Sequence, residues 1–165
     1  MKLLEKLAQF CAIAGGVVLT FITLMTCASL IGRNTVGITL AGDFELTGVA
    51  AGAAIGLFLP LCQLRRGNII VDFFTAKASL ITNALLDRFG ALLMGLVMAL
   101  LAWRTTLGGL NALATQSSSM MMGFPEWIVY AFIAPALVLT AVIALMQAIR
   151  GFDEPQQSVQ DGMPA

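Results

Sequence analysis

Three charged residues stand where a membrane-embedded chain could do chemistry. Glu45 opens a long apolar run, Asp72 follows a basic stretch, and Arg104 interrupts another apolar run. A carboxylate or guanidinium in such a place is costly to bury and offers one specific polar contact, to a partner or to interfacial water. Catalysis needs more. The chain has no histidine, which removes imidazole ligation of haem, His-based proton relays and most zinc chemistry. Cys11, Cys27 and Cys62 form no Cys-x-x-Cys pair and read as small packing residues. No nucleophile with a base, carboxylate pair, metal-ligand cluster or phosphate-cradling loop can be assembled, so no catalytic, cofactor or metal site is expected. Nine basic and nine acidic side chains cancel, which gives no ground for nucleic-acid binding. The chain reads as a scaffold rather than a catalyst.

The elements that would position these residues follow from hydropathy. The sequence is 59% hydrophobic and 11% charged, with mean hydropathy +0.92. Soluble domains carry about 25% charged residues, and with so few this chain cannot cover its own surface in water, so the bilayer is its main solvent. From Leu46 to Leu64 the sequence is apolar and then stops at Arg65-Arg66; at ~1.5 Å per residue that stretch covers roughly 28 Å, the thickness of a hydrocarbon core. The uncharged run from Leu7 to Gly32 is too long for a secretory signal. The expected fold is an all-α integral membrane protein of one domain, residues 1–150, with four transmembrane helices over about 10–31, 45–64, 89–110 and 126–149. Between the second and third spans, residues 70–86 alternate apolar and polar faces at helical spacing, which predicts an amphipathic helix lying on the interface or against a partner. The acid- and proline-containing segment 151–165 is expected to be a disordered tail.

Three features mark candidate contact surfaces. Gly48, Gly52 and Gly56 fall four residues apart on one helical stripe, the close-approach pattern of packed membrane helices; it serves either internal packing or a docking groove for a partner. Arg104, beside Trp103, is read as an interfacial anchor that snorkels to the headgroups, the alternative being a pair with Glu45, Glu126 or a partner's acid. Pro125, Glu126 and Trp127 suit the first turn of the last helix and an interface belt. Lys2, Lys6, Arg65, Arg66, Lys77, Arg88 and Arg150 fall on one side of the expected spans, against Arg33 and Arg104 on the other. By the positive-inside rule both termini and the middle loop are cytoplasmic.

With these landmarks in place, the sequence resembles the small membrane subunit, DctQ-type, of tripartite ATP-independent periplasmic (TRAP) transporters. Arg33 after the first helix and Glu45 opening the second match the family pattern. Arg66-Gly67-Asn68-Ile69-Ile70-Val71-Asp72 matches its basic-Gly-His-Ile-x-Val-Asp signature, with Asn68 in place of the histidine; an amide keeps both donor and acceptor capacity. Ser117 to Ser119, Phe124-Pro125-Glu126-Trp127, Tyr130 and Pro135 match the approach to the fourth helix. The resemblance covers about residues 10–149. It implies a multi-pass protein of the bacterial inner membrane and two protein partners. One is a large membrane subunit that carries the sodium and substrate sites; the other is a periplasmic substrate-binding protein that delivers an organic anion, often a carboxylate. The small subunit would brace the large one and help dock the binding protein, with no cofactor. Two other classes compete. A stand-alone homo-oligomeric transporter or channel would have to start from Glu45, and a membrane redox enzyme is disfavoured by the absent histidines and scattered cysteines.

Overall fold

The computed structural model describes residues 2–35, 37, 42–65 and 80–150. They form four helices: α1 (Lys2–Thr35), α2 (Asp43–Leu64), α3 (Leu80–Thr115) and α4 (Trp127–Arg150). All four are long and apolar enough to cross a membrane. Threonines inside them are satisfied locally: the hydroxyls of Thr20, Thr23, Thr26, Thr106 and Thr140 each donate to the carbonyl four residues back at 2.8 Å. In a solvent without hydrogen-bonding capacity, that is how a hydroxyl remains in a spanning helix.

Two helices run past both ends of the spans expected from hydropathy. The first helix runs from Lys2 to Thr35 rather than over 10–31, and the third from Leu80 to Thr115 rather than over 89–110. The expected boundaries followed charge, but Lys, Glu, Asp and Arg do not end a helix; proline, glycine and left-handed residues do. Thus α3 passes unbroken through Asp87 and Arg88 and stops where Gln116 takes a left-handed φ of 53°. There Ser117 N–H donates to Ala112 O at 3.0 Å and Gln116 N–H to Leu113 O at 3.4 Å, the double closure of a Schellman cap. Residues 80–86 of the expected amphipathic helix are therefore the first turns of α3, while 70–79, like the expected tail 151–165, lie outside the described residues. Helices α2 and α4 begin and end within two residues of the expected spans 45–64 and 126–149.

The helices do not close into a ring. Among the described helices α3 packs on α4 alone, α4 packs on α2, and α2 packs on α1, with a marginal touch between α1 and α4. The order across the array is α3, α4, α2, α1, and its hub is α4: 33% of its most apolar window is buried, against 11% for α1.

Small residues at sevenfold spacing make the two outer seams. On α1 the buried positions are Ala8, Gly15, Ile22 and Ser29. On α3 they are Ala91, Met98 and Ala112, with Gly95, Ala102 and Gly109 forming a second line. A repeat of seven keeps one face against a neighbouring helix over its whole length. Around the α3–α4 seam the core contains Met98, Ala102, Leu137 and Ala141, with Leu59 of α2 and Ile133 of α4 packed against it.

Candidate functional site

Specific polar contacts between helices gather at the two ends of the array. At the end where α1 stops and α2 begins, Ser29 Oγ donates to Asp43 Oδ2 at 2.5 Å, and the hydroxyls of Thr26 and Thr47 meet at 3.3 Å. Gly42 leads into α2 with a left-handed φ of 82°. A Cβ there would meet the Met122 side chain, which is flexible and can turn aside, so it is the left-handed conformation that calls for glycine. Met122 thereby brings the α3–α4 connection onto the start of α2.

Glu45 completes that junction. Its two carboxylate oxygens accept from Met121 N–H at 3.1 and 3.3 Å, and the Ser119 side chain also hydrogen-bonds the carboxylate. The connection is ordered around this anchor. Ser119 N–H donates to Phe124 O at 2.9 Å, Gly123 N–H to Ser119 O at 3.1 Å and Glu126 N–H to Ser117 O at 3.1 Å. Phe124 N–H donates to Ser119 Oγ at 3.3 Å, and Ser118 bridges Pro125. A carboxylate is a strong acceptor for backbone N–H, so a single Glu on α2 fixes the fold of a turn far along the chain.

At the opposite end, Gln63 of α2 and Gln147 of α4 form a reciprocal pair. Gln63 Nε2 donates to Gln147 Oε1 at 2.8 Å, and Gln147 Nε2 donates to the Gln63 carbonyl at 3.1 Å. Gln63 is only 5% exposed. Both amides sit within apolar runs, and an amide there needs a partner. That polarity is the signal by which sequence reasoning could have found this pair, which it missed together with Ser29–Asp43 and the Ser119–Met121 turn.

The other predicted positions divide. Arg33 is exposed in the last turn of α1. Arg104 is exposed and makes no ion pair among the described residues, so it does not join Glu45 or Glu126. It lies two residues beyond buried Ala102, about 200° around the helix and thus facing away from α4. Gly56 meets Ile133 of α4, whereas Gly48 and Gly52 have nothing within 4 Å. Pro125 lies in the ordered turn, and Trp127 begins α4, partly exposed. Arg66, Asn68 and Asp72 lie outside the described residues.

No chemical machinery accompanies these contacts among the described residues. No group of three His, Cys, Asp or Glu is placed to hold a metal. A groove of about 500 Å³ between α3 and α4 is lined by Ala99, Trp103, Thr106, Val138, Val142 and Leu145 among others, and no titratable side chain faces it.

Residues 22–154 match the family model described as "Tripartite ATP-independent periplasmic transporters, DctQ component". No curated protein and no solved structure matches the chain.

Proposed function

The chain belongs to the DctQ-component family of tripartite ATP-independent periplasmic transporters, and from that premise we propose that it braces a large membrane subunit during sodium-coupled uptake of an organic anion, a carboxylate, delivered by a periplasmic binding protein. At the family level it is a transporter component, the small permease subunit, and not an enzyme. The proposed orientation has both termini cytoplasmic, following the basic residues near Lys2, Arg65, Arg88 and Arg150. The Glu45 end then faces the periplasm of an inner membrane.

One observation carries the bracing role: the helices stand in an open line, α3, α4, α2, α1, rather than around a common axis. A protein that moves a solute by itself encloses a path and lines it with polar or ionisable groups. Among the described residues this line of four helices encloses no central path. It has two broad apolar faces and two edge helices, and one of those can lie along a larger partner while the rest resists displacement through lipid. The charges point the same way. Within the spans Arg104 is the one cation between Arg88 and Arg150, and it faces outward.

Reconstitution tests this. The chain alone in vesicles is expected to show no saturable uptake of any carboxylate under a sodium gradient, and the chain with its large subunit and binding protein to show it. Cysteine crosslinks from α1 or α3 are expected to reach a part of the large subunit that does not move during transport. Uptake by the chain alone, or crosslinks that follow the moving part, would sink the proposal.

A further inference from the structure

Arg104 is the one charged residue between Arg88 and Glu126, and the helix seams fix its depth. A Cβ on Gly109 would meet Tyr130 and one on Gly95 would meet Leu145, so α3 and α4 run antiparallel with a defined register. Arg104, lying between those two glycines, is therefore level with the stretch of α4 around Pro135. At ~1.5 Å per residue that is about 12 Å below Trp127, where α4 begins. A hydrocarbon core is about 30 Å thick, so the side chain leaves α3 close to the middle of the bilayer. Snorkelling serves basic residues near helix ends, and this one is not near an end.

Nothing beside it shares the charge. Its neighbours three and four residues away on the helix surface are Leu100, Leu101, Leu107 and Gly108, and it makes no ion pair among the described residues. Intramembrane cations normally face the interior of a bundle, where they are paired; Arg104 faces out of this one, from an edge helix. Depth selects what meets it. Lipid phosphates and water-soluble proteins both stand at the membrane surface. A second copy of this chain brings no acid to that level, because the acids within α1–α4 are Glu5, Asp43, Glu45 and Asp87, each within about two turns of a helix end. An acid in a membrane span of another protein meets every condition. The other edge differs: α1 has no Asp, Glu, Lys or Arg from Leu7 to Gly32 and is at home in lipid alone.

We propose that α3, not α1, is the edge that lies against the large membrane subunit, and that Arg104 pairs there with a carboxylate in the middle of one of that subunit's spans. The proposal rests on the subunit role stated above. A guanidinium matches a carboxylate with two parallel hydrogen bonds. Apolar helices slide past one another in lipid with little change in energy, whereas one enclosed ion pair is satisfied at a single height. The pair would thus fix the vertical register of the two subunits, which a brace requires.

The test uses the whole assembly, with chain, large subunit and binding protein, in nanodiscs. A benzophenone amino acid in place of Leu100 on α3 is expected to give a light-dependent adduct with the large subunit, and one in place of Leu24 on α1 to label lipid only; the reverse pattern overturns the choice of edge. Arg104→Lys, treated with a membrane-permeant carbodiimide, is expected to become joined by an amide bond to an Asp or Glu within a span of the large subunit, located by mass spectrometry. Absence of that amide overturns the pair. Recovery of the large subunit with the tagged chain is expected to fall about tenfold in Arg104→Leu and further in Arg104→Glu, with most of it retained in Arg104→Lys. The isolated Arg104→Leu chain is expected to unfold in detergent no more readily than wild type, which separates a lost partner from a lost fold. Unchanged recovery in Arg104→Leu refutes the pair while leaving the subunit role standing; a wild-type chain that does not co-purify with a large membrane subunit refutes both.

Discussion

On α3, a Cβ added at Gly95 would lie 2.8 Å from Leu145 Cγ and Cδ2, and one at Gly109 would lie 2.8 Å from Tyr130 Cβ; on α2, Gly48 and Gly52 have nothing within 4 Å. The α2 glycines carry the recognised four-residue spacing, yet among the described residues only Gly56 of the three meets another helix. On α3 the two closest-packed glycines follow a different spacing: Gly95 and Gly109, with Ala102 between them, repeat every seven residues, as do Ala8, Gly15, Ile22 and Ser29 on α1. The difference teaches that a small residue permits a close approach without causing it. Which glycines are used depends on what stands opposite, and Leu145 and Tyr130 stand opposite α3.

Substitutions can break that comparison, beginning with the most damaging. Gly109→Ala is expected to cost about 3 kcal/mol, because Tyr130 Cβ is fixed to the α4 backbone and the helix itself must shift. Denaturant unfolding in detergent would measure it, and wild-type stability in this variant would refute the α3–α4 seam. Gly95→Ala is expected to cost less, about 1.5 kcal/mol, since the Leu145 side chain can turn aside and only its backbone N, 3.3 Å away, resists. Gln147→Leu, at the α2–α4 crossing, removes two hydrogen bonds and is expected to lose about 1 kcal/mol in the same assay. A neutral result there would mean that shape alone joins α2 to α4.

The α2 glycines give the smallest effects and the sharpest contrast. Gly48→Ala and Gly52→Ala are expected to change the stability of the isolated chain by less than about 0.5 kcal/mol. Gly48→Leu is expected to leave that stability unchanged as well, but to reduce recovery of the chain with its large subunit in a pull-down. Normal recovery would remove the docking-groove reading of this stripe; a destabilised isolated chain would show that Gly48 packs internally after all.

The residues themselves explain how far sequence reasoning reached. Leu46 to Leu64 is apolar and bounded by Glu45 and Arg65, and α2 follows it nearly residue for residue. Asp87 and Arg88 suggested a boundary that α3 ignores, because charge tells where water begins and not where a helix ends. Glu45 was legible as a carboxylate needing a contact, but not its partner, since Met121 offers only a backbone N–H that every residue but proline possesses. Gln63 and Gln147 were each conspicuous in an apolar run, yet nothing local says that they meet.

Burying a residue in lipid rather than water is a property of that residue and its near neighbours, so the amino-acid sequence alone determined the four spans and the absence of histidine chemistry. Contact is a property of pairs. Helices that are all soluble in the same lipid have no hydropathic reason to choose one neighbour over another, so tertiary structure alone decided that α4 stands at the hub, that α3 and α1 form the edges, and that Glu45 reaches across to order the methionine turn.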